Sequence, residues 1–383
     1  MAVAVHGLHP QVRDGLEATG ARIVDRPSGQ TARAALWVSL RLRPLHGVLY
    51  RLFPKTHLPA QARYVQRCLA EVAALRTATR LGGGGEVVVI LTASQGLAAT
   101  TAQLAGTSHL RFVHYEGAPE GAILRVAERI FARGGRSVVV VCTNPTIEAT
   151  TRKRHPNRHT VVRPFAVADP AMYIADSERQ PARQELAIAD TEFVVAMIGG
   201  WWPYKDVGTV KRALERVEHP VALVVCGIPI RPAELEPAVK RCGGRIVNLQ
   251  GSVTERELRR IYAASDCALV TRTPGWPEEI GTIFDAARYG VPLIVSDHDR
   301  ALSERLSREP WVRLFPTGDA SALAKTLDDV ADEPPSRPDH GAPERLGLHP
   351  ASETIVAFCG IAATLPEQRH SADRPARHGK NRC

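Results

Sequence analysis

An apolar run at 194–198 ends in Gly199-Gly200, passes Trp201-Trp202-Pro203-Tyr204 and reaches Lys205. Such a run reads as a buried parallel strand, here handing over to a loop suited to an anionic ligand. Lys205 supplies a compact cation for that ligand; a solvated surface lysine is the plain alternative. Further on, Glu278 and Glu279 stand just ahead of Gly281-Thr282 and a helical run carrying Asp285 and ending Gly290-Val291-Pro292. A helix N-terminus offers free N–H groups and a partial positive charge to a phosphate. Carboxylates accept hydrogen bonds from hydroxyls. A ligand with both phosphates and hydroxyls satisfies the two pieces together, and a nucleotide sugar is such a ligand.

The elements that must hold these residues read as two α/β halves. In the second, strands are predicted at 193–198, 221–226, 246–249, 267–270 and 292–295. Helices are predicted at 209–217, 234–241 and 258–264, the last opened by a Thr254/Glu257 capping box. Five strands with intervening helices make a doubly wound domain. In the first half, strands are predicted at 2–5, 22–25, 86–92, 110–114, 137–142 and 160–165. The four glycines at 82–85 precede a strand instead of joining strand to helix, so they read as a connector and not as a phosphate cradle.

These blocks resemble the donor-binding half of GT-B glycosyltransferases, specifically the retaining family 4 (group 1). Gly199 and Lys205 match the first block, Gly227 follows the next strand, and the stretch from Asp285 to Pro292 matches the last block. The resemblance implies two Rossmann-like domains facing across a cleft, with a last helix crossing back. It implies an acceptor-side domain at 1–170, a connection at 171–190 and a donor domain at 191–333. A crossover segment at 334–370 and a disordered tail at 371–383 follow. Lys205 would neutralise the leaving diphosphate, Glu278 would contact sugar hydroxyls, and His114, at a strand end, would face the acceptor with Glu116 near it. Gly199, Gly200, Gly227, Val253, Arg272, Glu279, Gly281, Thr282 and Asp285 would surround the donor, Asp285 on its ribose. The function implied is sugar transfer from a nucleoside-diphosphate sugar, UDP favoured over GDP, to a small-molecule or lipid-linked hydroxyl acceptor. No cofactor or metal is expected.

Two departures bear on that reading. Counted back from Lys205, the family's phosphate-clamping arginine falls on Gly200, and Arg272 is the candidate substitute. Six residues separate Glu278 from Asp285 and five separate Glu279 from it, fewer than in the family. A degenerate GT-B module that binds without turnover, or a sugar-nucleotide epimerase on the same fold, therefore stand as alternatives.

The chain has 383 residues, 44% apolar and 23% charged, an ordinary globular balance that admits two domains. No apolar run is long enough to span a bilayer and no signal peptide is evident, so a cytoplasmic protein is expected. The cysteines, among them Cys142, Cys226 and Cys267, read as reduced and buried. The net charge is +9, and residues 26–70 hold eight Arg or Lys and no Asp or Glu. Within that stretch, 31–53 is basic and amphipathic, broken into two pieces by Pro44 and Gly47. It reads either as a helix whose apolar face covers the first sheet or as a segment lying on an anionic membrane. No motif favours nucleic acid.

Overall fold

The computed structural model describes residues 2–3, 17, 22–53, 56–82, 88–91, 95–113, 121–133, 138–154, 156, 159–163, 172–251, 253–276, 280–350, 353, 356–357 and 360. The chain divides into two compact units, the first from residues within 1–142, 150–161 and 356–383, the second from 143–149 and 162–355. The expected crossing helix falls almost wholly outside the described residues.

In the first unit, β1 (Ala2–Val3) pairs parallel with β2 (Ile23–Val24). A separate parallel sheet joins β3 (Val89–Leu91), β4 (His109–Val113), β5 (Val138–Cys142) and β6 (Thr160–Val162) in that order. Every residue of β5 is buried, as its unbroken Val-Val-Val-Val-Cys run requires of a central parallel strand. Arg111 on β4 is fully buried and survives there by donating to Glu71 at 2.6 Å and to Thr101 at 3.1 Å.

The expectation of a broken helix at 31–53 is corrected. Gln30–Leu52 is one helix with Pro44 inside it. Proline removes one hydrogen bond, to the carbonyl of Leu40; that turn is exposed, so water can satisfy it. The face expected to cover the first sheet packs chiefly on another helix, with Val3 of β1 joining the same cluster. The helix buries Ala32, Leu36 and Ser39, packing as an antiparallel hairpin on the helix Leu58–Leu81. Ser39 Oγ donates to Gln66 O at 2.8 Å, and Ala32 and Leu36 meet Ala73. Ala35, Leu42 and Leu49 are partly buried, and the large apolar residues Trp37, Val38, Leu40, Leu45, Val48, Tyr50 and Leu52 stay exposed.

The second unit holds a six-stranded parallel sheet in the order β12-β11-β10-β7-β8-β9. Its strands are β7 (Phe193–Ile198), β8 (Val221–Gly227), β9 (Arg245–Gln250), β10 (Cys267–Val270), β11 (Leu293–Ser296) and β12 (Val312–Phe315). The sequence reading expected five; β12 is the sixth, an edge strand whose alternating burial gives it a weaker apolar signal than its neighbours. The order runs outward from β7 on one side and from β10 on the other. The gap between these two neighbours is the switch point, where a crevice opens beyond the strand C-termini.

The opposite ends of β7 and β10 are pinned together. Arg183, 1% exposed, donates to the carbonyls of Ala264, Ala189, Asp190 and Glu192 and to Asp266 Oδ2 at 2.8 Å. The same Asp266 oxygen accepts the N–H of Val194 at 2.7 Å. The polar connection before β7 is thus tied into the base of the sheet.

Candidate donor site

Three loops meet at the C-terminal edge of the second sheet. The first leaves β7 through Gly199, whose φ of +94° suits glycine. The second leaves β8 at Gly227, φ +128°. A Cβ on Gly227 would lie 2.5 Å from the backbone carbon of Gly199, so the two loops touch backbone to backbone only because side chains are missing. The same crowding explains the lost arginine: a Cβ on Gly200 would lie 2.2 Å from the carbonyl oxygen of Ile228. Restoring the family residue as Gly200→Arg is therefore expected to force the loops apart, costing about 1–3 kcal/mol and weakening nucleotide binding. Thermal unfolding with and without UDP checks this; unchanged stability would mean the loops yield readily.

Lys205 closes the first loop. It is 7% exposed, and Nζ donates to the carbonyls of Ile198 at 2.6 Å and Gly199 at 3.1 Å. An ammonium has three protons, so one remains for a ligand. Burial, with the Arg272 charge adding to it, pushes Lys205 down to about 7. Asp206 follows and caps the helix Val207–Leu214 by accepting from Thr209 N at 3.0 Å.

The third loop leaves β10. Arg272 lays its guanidinium over the Tyr204 ring, 4.8 Å from the centroid, and Tyr204 stacks on Trp276 at 4.9 Å. Thr273 N donates to Tyr204 O at 2.9 Å, which fastens this loop to the one that carries Lys205. Ser296 Oγ accepts the backbone N–H of Arg272 at 3.1 Å and lies 3.0 Å from His298 Nδ1. Two cations from adjacent strands thus stand on either side of the switch point.

The helix Gly281–Tyr289 begins there as well. Ile280 at its N-cap gives no side-chain cap, and a Cβ on Gly281 would meet nothing within 4 Å. Four other helices of this unit are capped by Asp206, Thr254, Asp299 and Asp319, whereas Arg179–Glu185, Glu236–Arg241 and Ala342–Arg345 have no side-chain cap either. Gly281 is exposed at this end, where the first N–H groups and the positive end of the helix lie. Gly290 ends the helix in the left-handed region, φ +74°, with Tyr173 packed where a side chain would project.

Asp285 sits one turn into this helix, accepting from Arg288 Nε at 2.9 Å. Burial outweighs that partner and pushes Asp285 up to about 6. Arg288 also donates to Glu255 at 2.9 Å, and the Tyr289 hydroxyl donates to the same carboxylate. Val253 lies on the exit from β9, one strand beyond β8, packed on the core. Glu278 and Glu279 lie outside the described residues, and so do His114 and Glu116.

The expectation of a metal-free site overlooked one Asp-x-Asp at a strand end, Asp297-His298-Asp299 after β11. Its carboxylates have structural partners. Asp297 accepts from Thr317 N at 2.6 Å, and Asp299 caps the helix Arg300–Leu306 by accepting from Leu302 N at 2.8 Å. Among the described residues no cluster of His, Cys, Asp or Glu could hold a metal ion. The Tyr204–Trp276 stack and the Ser296–His298 pair were also missed. Tyr204 and Trp276 are far apart in sequence, and only parallel pairing of β7 with β10 makes their loops neighbours.

The paired Rossmann-like halves and the switch-point loops define a GT-B glycosyltransferase fold. Solved structures share it. HepE of Anabaena in complex with UDP and glucose aligns at a TM-score of 0.58 and 15% identity, over 93% of this chain and 89% of that one. The same protein with UDP-glucose aligns at 0.55 and 18%, over 77% and 82%. A glycosyltransferase from Rickettsia africae aligns at 0.61 and 13%, over 95% and 90%. Residues 178–343, within the second unit, match the family "Glycosyl transferases group 1". A search of curated proteins finds no match to the sequence.

Proposed function

We propose that this protein is a retaining glycosyltransferase that moves a sugar from a nucleoside-diphosphate sugar to a hydroxyl acceptor. The observation that carries the reading is the convergence of Lys205, Arg272 and the uncapped helix at Gly281 on one switch point. Three positive groups there suit a diphosphate and leave little for a neutral ligand to satisfy. As the anomeric carbon develops oxocarbenium character, the diphosphate gains charge. Lys205 Nζ and the Gly281 and Thr282 N–H groups then stabilise it as it leaves. Arg272 takes the part of the arginine for which Gly200 has no room. Asp285 holds the ribose, and the sugar hydroxyls fall to Glu278 or, one residue along, to Glu279. UDP is favoured as the nucleotide, in keeping with the UDP and UDP-glucose bound to HepE.

A thermal-shift screen of nucleoside diphosphates and their sugars tests the site, and product analysis tests the reaction. UDP-sugars are expected to stabilise the protein and to give transfer to a hydroxyl acceptor with the anomeric configuration kept. Binding without turnover would favour the degenerate module. An epimerised nucleotide sugar formed without acceptor would favour the epimerase. Stabilisation by none would remove the donor site.

Asp285→Ala separates ribose binding from chemistry. Losing a hydrogen bond to a carboxylate costs about 1.5–3 kcal/mol, or roughly 10- to 150-fold in affinity. The loss should be the same for UDP and for the intact donor and should appear as a raised KM with kcat kept. Calorimetric titration of both ligands checks it; wild-type UDP affinity would remove Asp285 from the ribose.

A further inference from the structure

The hairpin of Gln30–Leu52 and Leu58–Leu81 leaves a basic and apolar face exposed. At 100° per residue, Ala32, Leu36 and Ser39 define the buried side of the first helix. Trp37, Leu45, Val48 and Leu52 fall on the other side with Arg41 among them, and Leu40, Arg33 and Arg51 lie along its edge. Trp37 is 60% exposed and Leu52 65%; Tyr50 and Phe53, near the turn, are exposed as well. Arg41 lies over the Trp37 ring, 5.2 Å from its centroid, so cation and apolar surface are presented together. A large apolar patch left in water marks an interaction site.

We propose that this face docks on an anionic phospholipid surface. Charge decides the occupant. Residues 26–70 hold no carboxylate, so a second copy of the same face would set arginine against arginine. A nucleic acid would neutralise the arginines but leave Leu40, Leu45, Val48 and Leu52 in water. An anionic bilayer meets both needs: headgroups pair with the arginines, and the apolar stripe enters the acyl boundary while Trp37 sits at headgroup depth. No helix among the described residues is long and apolar enough to cross a membrane, so the segment lies on the surface. This inference stands apart from the transfer reaction, because it concerns the first unit and is read by partitioning.

The test uses the full chain with vesicles of phosphatidylcholine alone or with about a third phosphatidylglycerol. Wild-type protein is expected to co-sediment with the anionic vesicles only and to be partly released by salt. Arg41→Glu with Arg51→Glu should lower partitioning by roughly 30-fold or more. Trp37→Ser with Leu52→Ser should leave the low-salt attraction but abolish the salt-resistant fraction. These side chains are exposed, so melting temperatures should match wild type. Equal recovery with both vesicle types, or variants that partition like wild type, would overturn the proposal. A concentration-dependent dimer lost in the serine variant, without vesicle binding, would assign the face to a second copy. Tight duplex-DNA binding kept in the serine variant and lost in the glutamate variant, again without vesicle binding, would assign it to nucleic acid.

Discussion

Replacing Lys205 with alanine is expected to lower glycosyl transfer about 100-fold while leaving the fold in place, the usual scale for losing one preorganised stabiliser of developing charge. Steady-state rates with saturating donor measure it. Turnover within a few fold of wild type would take Lys205 out of the mechanism. The pH dependence of UDP binding gives a second readout. In the free site Lys205 titrates at about 7, because burial and Arg272 disfavour its charge. A diphosphate favours the ammonium, so binding above that pH takes up a proton. Affinity should therefore fall as pH rises past about 7, approaching tenfold per unit. In Lys205→Ala that slope should vanish. On the acid side Asp285 protonates near 6, so UDP affinity should also fall below that value and lose this flank in Asp285→Ala. The sign for stability follows from the same shift. The unfolded chain holds the lysine proton up to its ordinary value of 10.5, whereas the fold releases it near 7. Between those values the unfolded state binds more protons, and the ligand-free protein should gain stability as pH rises.

The largest effect on stability is expected from Arg183→Ala, at about 3–5 kcal/mol, because the change leaves four carbonyls without their donor and removes one of the two arginines, Arg179 being the other, that pair with Asp266. Asp266 also holds the N–H of Val194, so the loss loosens β7 and β10 at the ends away from the site. Urea unfolding followed by tryptophan fluorescence should show a lowered midpoint with an unchanged slope. Where the alanine variant yields too little folded protein, Arg183→Lys serves. One charge is kept, but the five-bond fork is not, so a smaller loss in the same direction is expected. Wild-type midpoints for both variants would show that this network does not hold the strands.

The sequence by itself determined the strands of the second unit and the loops that follow them. Runs such as 194–198 and 221–226 are apolar throughout because parallel strands are buried on both faces, so they are legible without any partner in view. The Thr254/Glu257 capping box was equally legible, because both of its hydrogen bonds are local: Glu257 N to Thr254 Oγ1 at 3.2 Å and Thr254 N to Glu257 Oε2 at 2.7 Å. Tertiary structure decided what spacing cannot hold. Gly200 looked like a missing arginine until the Ile228 carbonyl was seen to fill the space any side chain would need. Arg272 became a partner for Lys205 only through the pairing of β10 with β7, which sets their exit loops side by side. The amphipathic pattern of Gln30–Leu52 fixed which residues share a face. It did not say that the face with Ala32 and Leu36 would be buried and the larger apolar one left open. Periodicity orders side chains around an axis, and only packing chooses the side that meets another helix.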